Sequence, residues 1–241
     1  PSKIPPDIYS WGLQMSSAPS YWLTAVLEEA AKRYAEWGWV SMPLINTDDG
    51  FPKKPFINGW QLLRVEDVPH LPWNEALGLG LVLGEASGNL AAIDIDDVEL
   101  AEAAFAVTER FTRSVRTIRN RGHIYITEAQ ASRSTAIKVE WQGRQIKVEL
   151  KAQGTQIASP PTPGYRHVNA PDMRPVTTSS ILFAWQNLAR RLGVVGDTTE
   201  GAATPAWEPL VGRDHRNNTL YVEAHKLREA GMGYDQAVEI L

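Results

Sequence analysis

The chain has 241 residues, 43% of them apolar and 22% charged, with nine tryptophans and no cysteine. That balance belongs to a globular protein with enough apolar mass for a sizeable core, and it excludes a disordered or collagen-like chain. The missing cysteine removes disulfides, thiolate zinc clusters, iron–sulfur centres and cysteine nucleophiles together, and the net charge of −4 gives the chain as a whole no positive field toward nucleic acid.

No run reaches the ~18 uninterrupted apolar residues of a spanning helix, and residues 1–23 lack the basic start and apolar core of a secretory signal. A protein of a reducing, cytoplasmic compartment is expected, without membrane contact. The start at Pro1 and the stop at Leu241 inside a helical pattern point to a piece of a longer protein. Ser20 can cap a helix over 21–37, with Glu28/Lys32 and Glu29/Arg33 at supportive spacing and Gly38 as its stop. A strand follows at 39–45, then a Pro/Gly/Asn-rich loop through Trp60. Two apolar runs, 79–83 and 90–96, flank Gly84-Glu85-Ala86-Ser87-Gly88-Asn89 and read as a hairpin.

A helix is expected over 97–113, strands at 115–119, 123–127, 138–141, 145–150 and 155–159, and a helix over 179–192. Residues 196–209 (GDTTEGAATPAWEP) have the composition of a linker. The expected organisation is a main domain over 1–195, a linker over 196–212 and the start of a small helical module over 213–241, in which Asn218 or Thr219 and Asp235 can cap helices. Strands and helices mixed with hairpins favour an α+β fold over a doubly wound parallel sheet.

Charge is uneven along this chain. Residues 110–151 hold ten basic side chains against Glu128, Glu140 and Glu149, a block of +7 that leaves −11 for the remainder. In Ile93-Asp94-Ile95-Asp96, the two-residue period of a strand turns Asp94 and Asp96 to one face, about 7 Å apart. Two carboxylates so close call for a cation, and Mg²⁺ or Mn²⁺ suits oxygen ligands. The same pattern also serves as a plain turn entry or helix cap. On 145–150 the period puts Lys147, Glu149 and Lys151 on one face, as a third carboxylate beside two cations or as an ordinary amphipathic strand. Between them, Arg119-Asn120-Arg121-Gly122-His123 offers forked donors and an imidazole to a polyphosphate, or a solvated turn. Lys53-Lys54 followed by Trp60 could hold a nucleotide or template strand, although a loop packing its own aromatic is as common. The other histidines lack zinc-ligand spacing, so no zinc is expected, and no P-loop, dinucleotide glycine motif or G-x-S-x-G elbow occurs.

Taken in order, Lys53-Lys54-Pro55 with Gly59-Trp60, the stretch from Gly78 through Ile93-Asp94-Ile95-Asp96, Gly122-His123, and Val148-Glu149-Leu150-Lys151 with Ala158-Ser159-Pro160-Pro161-Thr162 resemble the bifunctional primase–polymerase branch of the archaeo-eukaryotic primases. The likeness runs from about Lys53 to Thr162. It implies an RRM-like catalytic palm joined to an α/β N-terminal module and followed by a small helical domain. It also implies nucleotidyl transfer with two divalent ions, Mg²⁺ or Mn²⁺, held by Asp94, Asp96 and Glu149. His123 would contact the incoming nucleotide's phosphates; apart from the resemblance, Arg119, Arg121, Lys54 and Lys151 are expected from their own charge and placement to be further nucleotide-binding residues. Arg121 stands where the family usually has a serine, and Glu149 where it frequently has Asp.

The implied substrates and partners are single-stranded DNA template and primer, NTP or dNTP, and a helicase domain further downstream. The implied setting is plasmid or phage replication in a prokaryotic cell. The competing readings are a non-catalytic nucleic-acid-binding module of a replication initiator and a metal-dependent nuclease or D-x-D glycosyltransferase.

Overall fold

Residues 20–194 are described by the computed structural model; the expected linker and helical module, and with them the domain limit at 195, lie outside the described residues. Helix α1 (Ser20–Glu36) buries Leu27, Ala30, Ala31 and Tyr34, the i, i+3, i+4, i+7 stripe of one helical face. Strands β1 (Ser41–Asn46), β2 (Pro52–Pro55) and β3 (Gly78–Val82) follow, with three short 3₁₀ turns between β2 and β3. Trp60 opens the first of these turns and packs half-buried against the core beneath it, so its ring serves the fold.

Strand β4 (Leu90–Ile95) runs into α2 (Val98–Thr108), whose first turn is capped by the Asp97 carboxylate accepting from Leu100 N at 2.9 Å. Then come β5 (Ser114–Arg116), β6 (Gly122–Glu128), β7 (Thr135–Trp141), β8 (Arg144–Lys151), β9 (Gln156–Ser159), β10 (Arg166–His167), β11 (Val176–Thr178) and α3 (Ile181–Leu192). The last helix is capped by Ser180 at one end and by left-handed Gly193 at the other.

These elements form two sheets. One has the order β2-β1-β3-β9; the other has the order β10-β5-β6-β4-β8-β7, with β11 lying parallel to β6. Helices α2 and α3 cover one face of the larger sheet, burying Ile93, Ile95, Ile124, Ile126, Val148 and Leu150 against Phe105 and Trp185. Its other face, through Leu90, Ala92, Val115 and Tyr125, shares a second core with the smaller sheet and α1. Strand β4 is therefore buried on both faces, as a central strand between two apolar layers should be.

The expected hairpin at 79–96 is not formed. Both neighbours of β3 are already taken by β1 and β9, and both neighbours of β4 by β6 and β8. The seven residues between them, 83–89, instead carry the chain from one sheet to the other through a 3₁₀ turn over Glu85–Ser87, pinned where Ser87 Oγ donates to Val82 O and accepts from Val40 N. The chain crosses back at 152–155, between β8 and β9, so β9 completes the smaller sheet rather than continuing the larger one. These two crossings are laced together by Leu83 N donating to Thr155 O at 2.9 Å and Glu85 N donating to Gln153 Oε1 at 2.7 Å, and the chain crosses a third time at 160–165, from β9 to β10. Helix α2 ends at Thr108, short of the expected 113. The chain there turns so that Arg113 enters a buried box of Tyr34, Trp37 and Trp39, its guanidinium carbon 5.2–5.8 Å from the ring centroids.

Candidate active site

The alternation along β4 sends Ala91, Ile93 and Ile95 to the helices and Asp94 to the opposite side, facing the smaller sheet. Registration then fixes its company. Asp94 is paired with His123 on β6 and with Glu149 on β8, so two strands deliver an imidazole and a carboxylate to either side of one central carboxylate. Directly opposed residues of antiparallel strands bring their Cβ atoms within about 5 Å. Gly122, next to His123, makes this placement possible: a Cβ there would lie 2.9 Å from Phe105 Cζ and 3.0 Å from Ala101 Cβ, so only glycine lets α2 pack over this strand.

Each acid is met by a cation. Lys151 Nζ lies 2.6 Å from Asp94 Oδ2 and 3.4 Å from Glu149 Oε2. Lys147 pairs with the other Glu149 oxygen, and Arg121 Nη1 donates to Asp96 Oδ1 at 2.7 Å. Arg121 reaches that position from a tight turn closed by Thr117 N donating to Arg121 O, with Asn120 in the left-handed region (φ 57°). Arg119, on the same turn, bonds Asp49 Oδ2 at 3.1 Å and lies over the Phe51 ring. It thereby ties the larger sheet to the β1–β2 loop.

Burial sets the protonation of the central groups. It opposes ionisation of Asp94, but His123 and Lys151 outweigh it and hold the carboxyl below its ordinary range. In His123, burial dominates the pull of Asp94 and pushes the imidazole down to about 4, so it is neutral at pH 7, with Nε2 3.4 Å from Asp94 Oδ1. Burial also disfavours charge on Lys151, yet Asp94 and Glu149 raise it above the usual lysine value. Burial and then the Asp94 charge lift the Tyr165 phenol to about 12.

Asp94, Asp96, Glu149, His123, Arg119, Arg121 and Lys151 all line one cleft of about 230 Å³ between the two sheets. Lys54 does not: along β2 it points to solvent, and its neighbour Lys53 occupies the cleft wall. The two-residue period of a strand allows only one of two adjacent lysines to face in, and the pairing of Ile45 with Lys54 sets the phase. The sequence reading also missed Tyr165, whose ring centroid is 5.9 Å from that of His123 and which carries no motif of its own.

The basic block is not an open positive face, because most of its charges are engaged. Arg113 is buried among aromatics, Arg116 pairs with Glu102, Arg119 with Asp49, Arg121 with Asp96, Arg144 with Asp97 and Glu99, and Lys147 and Lys151 with the site acids.

Among the described residues no three carboxylate or imidazole side chains converge closely enough to form a ready-made ion site. The donor set still fits a hard divalent ion, since Asp94 and Glu149 are cross-strand partners offering oxygen alone and Asp96 stands at the end of the same strand. Among the described residues no helix is long and apolar enough to cross a membrane.

No curated protein matches the chain. The family model described as bifunctional DNA primase/polymerase, N-terminal, matches residues 31–180, which take in the last six residues of α1, both sheets and every cleft residue named above. The chain belongs to the bifunctional DNA primase/polymerase family, nucleotidyltransferases whose substrates are DNA and nucleotides.

Proposed function

We propose that this protein is a DNA-dependent primase–polymerase that makes and extends primers on single-stranded DNA, with nucleotidyl transfer in the cleft between the two sheets and the larger sheet with α2 and α3 serving as an RRM-like palm. The observation that carries this reading is the register around β4, which sets Asp94 between Glu149 and His123. Asp94, Asp96 and Glu149 would hold two Mg²⁺ or Mn²⁺ ions. Such ions, when bound, lower the pKa of an attacking hydroxyl and neutralise charge on the triphosphate and the departing pyrophosphate.

The remaining tasks fall to the protein's own side chains. Neutral His123 can donate one hydrogen bond to a phosphate oxygen without adding charge. Arg121, Arg119 and Lys53 line the wall where the phosphates would lie, and the two arginines supply forked donors. Template choice rests on base pairing, so the protein needs only to hold the strand by its backbone.

The test is incubation with single-stranded template, labelled nucleotides and either ion. New strands are expected from the wild type, and Asp94→Asn should lower synthesis on the order of a hundredfold or more while retaining template binding. Undiminished synthesis by the variant would remove Asp94 from the site. Shortened template would indicate a nuclease, and bound template without product under either ion would indicate a non-catalytic module.

A further inference from the structure

We propose that Lys151 is a displaceable internal cation: its ammonium holds Asp94 and Glu149 together in the ion-free protein and leaves Asp94 when a divalent ion binds, so that this lysine sets how tightly the ion is held. The inference rests on the reading of Asp94 and Glu149 as ion ligands.

Three observations support it. First, Lys151 Nζ bridges the two acids, 2.6 Å from Asp94 Oδ2 and 3.4 Å from Glu149 Oε2, the same two carboxylates that would hold a divalent ion. Second, Lys151 is drawn inward, whereas Lys147, four residues earlier on the same face of β8, is not. The side chain of Lys151 is 24% exposed, against 53% for Lys147, which pairs with Glu149. The cross-strand partner of Lys151 is Ala92, whose small side chain leaves room for the lysine to lean along β4 to Asp94.

Third, the charges balance without any ion. Asp94, Asp96 and Glu149 face Lys151, Arg121 and Lys147, so the buried Asp94 is never left uncompensated. A divalent ion on the same oxygens adds like charge beside the ammonium, and the two cations repel. One must withdraw, and the flexible four-carbon stem of a lysine lets it do so.

Two measurements test this on the full chain without nucleotide. In Mn²⁺ titrations followed by electron paramagnetic resonance, Lys151→Met is expected to bind Mn²⁺ at least tenfold more tightly than the wild type, whereas Lys151→Arg, which keeps the charge, stays close to it. Equal or weaker binding by Lys151→Met overturns the proposal. In the wild type, where no variant has to fold, Mn²⁺ is expected to speed acylation of Lys151 by an amine-reactive reagent several-fold, read by peptide mass spectrometry against exposed Lys32. Unchanged or slower labelling also overturns it.

Failure of the ligand reading itself has a different signature. If the wild type and Asp94→Asn bind Mn²⁺ alike, that reading falls. If Asp94→Asn weakens binding but Lys151→Met does not tighten it, only the displacement falls.

Discussion

Asp94 is 8% exposed, and a carboxylate at that depth persists only because its surroundings were arranged for it. Lys151 supplies the charge, and His123 supplies a neutral polar neighbour rather than a second cation. That neutrality has a kinetic consequence. An imidazole that contacts phosphate without carrying charge contributes the strength of a hydrogen bond to an ion, about 1.5–3 kcal/mol. His123→Ala should therefore raise the nucleotide KM roughly 10–100-fold and lower kcat as well, measured by steady-state incorporation on a fixed template. An unchanged KM would place His123 away from the phosphates. Arg121 illustrates the same economy: it occupies the position opposite Asp96, so the residue that departs from the family pattern is the counter-ion of one of its acids.

Among the elements, β4 decides the site and Gly122 decides whether β6 can serve it. Gly122→Ala would push a methyl group into Phe105 and Ala101, contacts shorter than carbon atoms tolerate. Overpacking of this kind costs about 1–3 kcal/mol, and in a domain of this size each kcal/mol lowers Tm by about 2–4 °C. A thermal melt of the variant measures it; an unchanged Tm would mean that α2 yields without cost.

The strands and helices that carry Asp94, His123 and Glu149 were legible because each has a period of its own: Asp94 alternates with Ile93 and Ile95, and Glu149 alternates with Val148 and Leu150. What periodicity does not contain is partnership. The runs on either side of Gly84–Asn89 look like two arms of a hairpin until β1 and β9 are seen to occupy both edges of β3. Lys53 and Lys54 could not be told apart because the phase of β2 comes from β1, and Tyr165 was invisible because its role depends on a ring 42 positions earlier. The charge of the 110–151 block was counted correctly, yet counting cannot show that Glu102, Asp49 and Asp97, all earlier in the chain, come back to meet it.

For the molecule as a whole, the buried histidines and the site carboxylates tie stability to acidity in one direction. Burial lowers His123 to about 4 and His167 to about 3 from an ordinary 6.5, so the unfolded chain takes up protons that the folded chain refuses. Their contribution is complete above pH 6.5 and is lost as the pH falls toward the folded values. Asp94 and Glu149, also lowered, lose theirs further down, so every one of these groups works the same way. Each imidazole adds a slope of up to about 1.4 kcal/mol per pH unit. Urea midpoints taken at pH 7, 6 and 5 should decline, and a flat profile would contradict the burial of both rings.

The chain passes between the sheets three times, at 83–89, at 152–155 and at 160–165, and this bears on how substrates enter. The first two leave the smaller sheet at Val82 and the larger at Lys151 and are stitched to one another by Leu83, Thr155, Glu85 and Gln153; the third leaves the opposite end of β9 at Ser159 and reaches β10 at Arg166. At that opposite end Arg119 and Asp49 add an exposed pair of the kind worth about 0–1 kcal/mol. Backbone thus fastens the sheets at both ends and a shared core fastens them between, so admission of a triphosphate is expected to rest on side-chain movement alone, and parting the exposed Arg119–Asp49 pair would give it a dependence on salt.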